Sequence, residues 1–97
     1  MTPITPKFTF DFGGNTHNVY HANKSEGLPK HDHEFDHATV CHSGSIIVRK
    51  EGKEYTFAKE SQPVLLVAAE WHEIEAAEDG TVFENIFLTT TNYGKSV

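Results

Sequence analysis

The sequence predicts an all-β domain, an antiparallel sandwich or barrel of about eight short strands. Three observations predict it. Apolar and polar residues alternate over several short runs. Turn residues punctuate those runs at close spacing. Helix signals are scarce: only Trp71 to Glu78 has helix-friendly composition, and that stretch is short and hemmed in by its neighbours.

Phe8, Phe10 and Phe12 alternate with Lys7, Thr9 and Asp11, the pattern of a half-buried strand. Gly13-Gly14-Asn15 ends it, and Val19 and Tyr20 sit in a second short run. Glu26-Gly27-Leu28-Pro29 is turn chemistry. A histidine-rich segment follows, then Ala38 to Cys41, with a break at Ser43-Gly44-Ser45. Ile46 to Arg49 and Glu54 to Phe57 flank Lys50-Glu51-Gly52-Lys53, which reads as a β-hairpin with Gly52 supplying the left-handed backbone angle. Tyr55 and Phe57 share a face of its second strand and are expected to pack inward. Val64 to Ala68 is a continuous apolar run, fit for a buried strand. Ile74, and then Val82 to Thr89, supply the last strands on either side of the Glu78-Asp79-Gly80 turn. The polar tail from Thr90 is expected to fray, and the first six residues, with Pro3 and Pro6, to form a loose arm.

The chain of 97 residues is long enough for one domain and too short for two, so residues 1–97 are expected to form a single unit with a core over about 7–90. Cys41 is the one cysteine, which excludes an intrachain disulfide. The first residues lack a basic start and an apolar core, so no secretory signal is read there. The longest apolar run, Val64 to Ala69, is far too short to cross a bilayer as a helix, and the cytoplasm is the expected location. Formal net charge is -6 and the eight basic residues are scattered, a poor match for nucleic acid or an anionic membrane surface.

Seven histidines in so short a chain are the unusual feature. His31-Asp32-His33 is an H-x-H; on a strand both imidazoles point to one face and can grip one ion. Glu34-Phe35-Asp36 reads as a turn, so His37 would open the neighbouring strand and lean into the same space. His72 lies far off in sequence and must be brought in by the fold. His42 has the opposite parity to His37 and is expected to face outward, while Cys41 shares the parity of His37 and is expected inside. His17 and His21 are read as solvated, and Asp32, Glu34 or Asp36 as a charge that is solvated or that fixes an imidazole tautomer.

The order and spacing resemble the cupin family, whose first motif runs G-x5-H-x-H-x3,4-E-x6-G. His31, Asp32 and His33 match the H-x-H; three residues separate His33 from His37, which stands where the family has Glu; six more lead to Gly44, the closing glycine. Gly27 stands nearer to His31 than the opening glycine does. The second motif, G-x5-P-x-G-x2-H-x3-N, aligns its histidine with His72, which puts Ser61 at the first glycine, Val67 at the proline, Ala69 at the second glycine and Ala76 at the Asn. Its spacing is kept and its helper residues are not. The resemblance spans about residues 26–88. It implies a single-domain cupin-type antiparallel β-barrel of jelly-roll type, a metal near one mouth held by His31, His33, His37 and His72, and a homodimer.

A histidine in place of the family's Glu has an electrostatic consequence. Neutral imidazole leaves the ion about +2, which favours an anionic, oxygen-bearing small molecule. Imidazoles suit iron, nickel, zinc or copper; manganese is less favoured without the carboxylate. Four donors round tetrahedral zinc close the site, four on a six-coordinate ion leave two positions open, and three His with His37 turned away leave room even for zinc. The resemblance implies an enzyme of dioxygenase, isomerase, lyase or cyclase type. The alternatives are a non-catalytic module that senses a ligand or metal, and a metal that only staples the fold.

Overall fold

The computed structural model describes residues 1–32 and 36–87. Ten strands run through them: β1 (Thr2–Pro3), β2 (Phe8–Phe12), β3 (Asn15–Ala22), β4 (Glu26–His31), β5 (His37–Ser43), β6 (Ser45–Lys50), β7 (Lys53–Ala58), β8 (Val64–Leu66), β9 (His72–Ala76) and β10 (Thr81–Phe87). They form two five-stranded sheets, in the orders β1-β4-β9-β6-β7 and β2-β3-β10-β5-β8. The β1–β4 pair is parallel and the others are antiparallel. The expected all-β architecture is what the chain adopts, and Trp71 to Glu78 contributes β9 instead of a helix.

The core follows from strand parity. In β5, His37, Thr39 and Cys41 point in; in β6, Ile46 and Val48; in β9, His72, Ile74 and Ala76; in β10, Thr81, Phe83 and Asn85. Tyr20 of β3 stacks on Phe83 with ring centroids 4.9 Å apart. Register sorts these residues by height. His72 pairs with Lys50 at one end of the β6–β9 ladder, and Ala76 with Ile46 at the other. On the facing sheet, His37 pairs with Phe87 and Cys41 with Phe83. The inner space is therefore apolar at one end and rich in histidine at the other.

Two glycines carry bends that this arrangement needs. Gly44, between β5 and β6, has φ +70, and a Cβ there would collide with Thr81. Glu51 and Gly52 both have positive φ, 54 and 70, the signature of a tight two-residue hairpin turn between β6 and β7.

Four expectations need correction. Phe8, Phe10 and Phe12 do form β2, but all three are exposed, at 54%, 46% and 74%. Alternation fixes which residues share a face, and here that face is the outer side of an edge strand. Only Leu66 of the apolar run is buried; β8 is three residues long, and Leu65 and Val67 face solvent. Tyr55 is 38% exposed, while Phe57 packs against the core. The first residues are tied down: Thr2 N–H donates to Ser25 O and Ile4 N–H to Gly27 O, each at 3.0 Å. The tail from Thr90 lies outside the described residues.

Candidate metal centre

Three of the four histidines singled out by spacing meet at the polar end of the inner space. His31 closes β4, His72 opens β9, and the two are cross-strand partners. His37 opens β5 in the facing sheet, so it approaches across the sandwich and not from a neighbouring strand as expected. The ring centroid of His72 stands 4.5 Å from that of His31 and 5.2 Å from that of His37. His37 and His72 are buried, at 0% and 1% exposure. β4 ends at His31, and His33 lies outside the described residues. Among the described residues no set of three or more His, Cys, Asp or Glu donors closes round one point.

Hydrogen bonds fix the orientation of each ring. His31 Nδ1 lies 2.5 Å from Pro29 O, and His72 Nδ1 lies 2.9 Å from Glu70 O. A carbonyl oxygen only accepts, so each neutral ring carries its proton on Nδ1 and its lone pair on Nε2. His37 Nδ1 faces Thr39 Oγ1 at 3.2 Å, and the Thr39 hydroxyl donates to Asn85 Oδ1 at 2.6 Å. With the Asn85 amide in that orientation, Thr39 accepts from His37 Nδ1–H, and the third ring takes the same tautomer.

The consequence falls between His37 and His72, whose Nε2 atoms are 3.3 Å apart. Two lone pairs at this distance repel unless something electropositive joins them. A proton is disfavoured, because burial lowers the His72 pKa and the neighbouring His31 lowers it further. A transition metal fits. Two donors each about 2.1 Å from one ion stand about 3.0–3.4 Å apart in tetrahedral or right-angled arrangements, and imidazole nitrogen suits such ions.

Comparison with known structures settles what kind of framework carries this cluster. No family model matches the chain, and no curated protein matches it in sequence. Solved structures do match in shape. A cupin protein from Bacteroides fragilis superposes with TM-score 0.69 at 18% identity, over 80% of this chain and 68% of that one. A cupin domain from Bordetella pertussis gives TM-score 0.68 at 14% identity, over 92% and 97%. A Klebsiella pneumoniae protein with a double-stranded β-helix domain gives 0.71 at 14%, over 90% and 76%. The chain has the cupin fold.

On that fold the two spacing motifs acquire positions. The first runs from the end of β4 through His37 to Gly44, and the second leads into β9 at His72. Ala69 stands where the cupin second motif has glycine, and its φ is +63, in the left-handed region that glycine favours. The neighbouring acid Asp36 accepts from Ala68 N–H at 2.7 Å and so secures the loop before His72. Cys41 is buried as expected, and burial pushes its thiol pKa up, away from a reactive thiolate.

Sequence reading missed Thr39 and Asn85. Both are buried, at 2% and 1% exposure, and together they hold His37. The available signal was parity: Asn85 occupies an inward position of β10 between Phe83 and Phe87. Among the described residues its Nδ2 has no hydrogen-bond partner. A buried donor left in that state costs about 1–3 kcal/mol. The outward histidines differ from expectation in one respect. His42 is exposed as expected, but His17 is mostly buried, bonded to Glu84 and stacked on Phe10 at 4.7 Å.

Proposed function

We propose that this chain is a metal-binding cupin, a small metal-dependent enzyme acting on a small anionic oxygen-bearing molecule. His31, His37 and His72, with His33, hold one divalent ion of iron, nickel, zinc or copper. The observation that carries this reading is the convergence of the rings: His37 and His72, both buried, bring their Nε2 atoms to 3.3 Å, with Nδ1 turned to Thr39 Oγ1 and Glu70 O. When bound, such an ion supplies Lewis acidity to an oxygen of the ligand. The chain's own part is to hold the rings. Pro29 O and Glu70 O orient His31 and His72, and Thr39 orients His37.

Elemental analysis of the purified protein beside His31→Ala and His72→Ala tests the reading. The expected result is about one equivalent of transition metal in the parent and loss in both variants. A parent that neither holds nor takes up metal would overturn it. A metal-loaded protein that exchanges a ligand without turnover favours the sensing alternative, and chelation that melts the fold without altering ligand binding favours the staple.

Pairing of two copies is the second part of the proposal, and one surface favours it. The outer face of the second sheet presents exposed Phe8, Phe10, Phe12 and Leu65, whereas that of the first carries Arg49 bound to Glu54, Glu73 and Glu75. Light scattering is expected to give twice the chain mass for the parent and the single mass for Phe10→Glu. No nucleic-acid or membrane partner is proposed. Among the described residues no helix is long and apolar enough to cross a membrane.

A further inference from the structure

The buried contacts behind the histidine cluster form one line. Asn85 Oδ1 lies 2.6 Å from Thr39 Oγ1, and Thr39 Oγ1 lies 3.2 Å from His37 Nδ1. On the far side of that ring, His37 Nε2 lies 3.3 Å from His72 Nε2. His72 ends the line, with Nδ1–H donating to Glu70 O at 2.9 Å. Asn85, Thr39, His37 and His72 are all buried, and polar groups buried this far pair as fully as they can. An amide, a hydroxyl and a neutral imidazole each donate at one position and accept at another, so the line can run in two directions. In the first, Thr39 O–H donates to Asn85 Oδ1 and accepts from His37 Nδ1–H, which leaves the two Nε2 lone pairs facing each other. Asn85 Nδ2 then has no partner among the described residues. In the second, the Asn85 amide is turned over. Its Nδ2–H donates to Thr39 Oγ1, Thr39 O–H donates to His37 Nδ1, and His37 Nε2–H donates to the His72 Nε2 lone pair. The second direction makes one bond more, between the two rings, and adds no proton. It requires the Asn85–Thr39 contact to widen by about 0.2–0.3 Å, from an O–H···O to an N–H···O length.

We propose that Asn85 and Thr39 form a hydrogen-bond relay that reverses direction when the histidine cluster takes up a metal ion. In the metal-free protein the relay runs in the second direction, and the His37 proton on Nε2 closes the gap to His72. An ion between the rings needs both Nε2 lone pairs. The His37 proton is then carried on Nδ1, the Thr39 hydroxyl turns to Asn85, and the amide turns over to present Oδ1. One proton leaves Nε2 and one arrives at Nδ1, so the ring stays neutral and nothing titrates. Asn85 is thereby a positioning residue that acts through Thr39 and His37. Its orientation decides whether the cluster is closed by its own hydrogen bond or open to an ion. The relay rests on the metal-binding reading above for the ion it answers to.

Long-range proton–nitrogen NMR of the full chain at pH 8, metal-free and zinc-loaded, tells protonated ring nitrogens from unprotonated ones. The His37 proton is expected on Nε2 without zinc and on Nδ1 with it, while the His72 proton stays on Nδ1. The Asn85 side-chain amide signals are expected to shift on loading. Asn85→Asp, as a carboxylate, only accepts, so it is expected to put the His37 proton on Nδ1 even without zinc. Asn85→Leu leaves the Thr39 hydroxyl to His37 Nδ1 alone, and is expected to keep the proton on Nε2 and weaken zinc binding about 3- to 10-fold. Thr39→Val is expected to weaken zinc to a similar extent, and Thr39→Ser to restore it to within about twofold. A His37 proton on Nδ1 in the metal-free parent overturns the proposal, as does one that stays on Nε2 after loading. Zinc affinity unchanged in both Asn85→Leu and Thr39→Val also overturns it, and needs no folded Asp variant. Each of these results with zinc uptake intact leaves the metal reading standing. A parent that takes up no zinc overturns the metal reading and the reversal together. The metal-free tautomer and its change in Asn85→Asp then still decide whether Asn85 sets the ring.

Discussion

The molecule contains two sets of histidines that differ in what holds them. The inner set, His31, His37 and His72, is oriented at Nδ1 by uncharged acceptors: two backbone carbonyls and a hydroxyl. The outer set, His17 and His42, shares the carboxylate of Glu84, with Nδ1 of His17 at 2.5 Å and Nε2 of His42 at 2.8 Å. The titration of each set follows from its surroundings. Burial and the neighbouring His31 lower the His72 pKa, so this ring is held unprotonated. Burial alone would raise the Glu84 pKa, but hydrogen bonds from His17 and His42 outweigh it and hold the carboxyl below its usual range. Inside, His72 disfavours a proton, whereas the outer set stabilises a charge on the sheet surface. One residue type serves opposite purposes, and the fold decides which.

The largest expected effect separates the two sets by metal uptake. His72→Ala is expected to lower affinity for zinc or nickel by more than about 100-fold, since one of few donors is lost. His42→Ala, on the outer surface, is expected to leave it within twofold. Competition with a coloured chelator measures both. Equal losses in the two variants would erase the distinction.

Acid unfolding of chelator-treated protein sharpens the comparison, because the two sets lose their contributions in different windows. The folded pKa of His72 lies below its ordinary 6.5, so between the two values the unfolded chain binds more protons. The stability tied to an unprotonated His72 is complete above pH 6.5 and is lost as pH falls below it, through the folded pKa. The Glu84 pKa also lies below its ordinary 4.5, so its contribution is present above pH 4.5 and is lost at still lower pH. Urea midpoints followed from pH 8 to pH 3 are expected to show both losses. His72→Gln is expected to flatten the upper one and Glu84→Gln the lower; the reverse assignment would contradict the account.

At neutral pH, Glu84→Gln is expected to cost about 1–2 kcal/mol in urea unfolding, the range for weakening charge-assisted hydrogen bonds in a mostly buried place. Glu84 and His17 are each 13% exposed in their side chains, which is why the figure exceeds that of an ordinary surface pair. A cost near zero would reduce the outer set to solvated charges.

These contrasts also show what the sequence made legible. Parity correctly put His42 outside and Cys41 inside, because both lie on one regular strand. Parity could not say which face of β2 would be inward, since that depends on the edge position of the strand, so the three phenylalanines were misplaced. Motif spacing picked out His31, His37 and His72 because a fold that joins distant strands keeps those intervals. His17 and Glu84 are 67 residues apart and belong to no motif, so their pairing had no local signal. Thr39 and Asn85 were invisible for a similar reason: a single polar residue among apolar ones looks ordinary until its neighbours across the sheet are known.

The smallest expected effect tests how the inner set is supported. His72 is oriented by the carbonyl of Glu70, and Glu70 follows Ala69, whose φ of +63 places a Cβ-bearing residue in left-handed backbone. That conformation costs an L-residue other than glycine about 1 kcal/mol. Asp36, accepting from Ala68 N–H, secures the loop on the other side of the strained residue. Ala69→Gly is therefore expected to relieve the strain, partly offset by the greater freedom glycine has in the unfolded chain, for a net gain of about 0.5 kcal/mol. Metal affinity should be unchanged, because the carbonyl that holds His72 keeps its place. A gain in stability with metal affinity unaltered identifies the strain as local to the loop. A loss of metal affinity would show that the strained residue itself holds the Glu70 carbonyl against His72, making the inner set dependent on the loop in a way that the outer set, held within regular strands, is not.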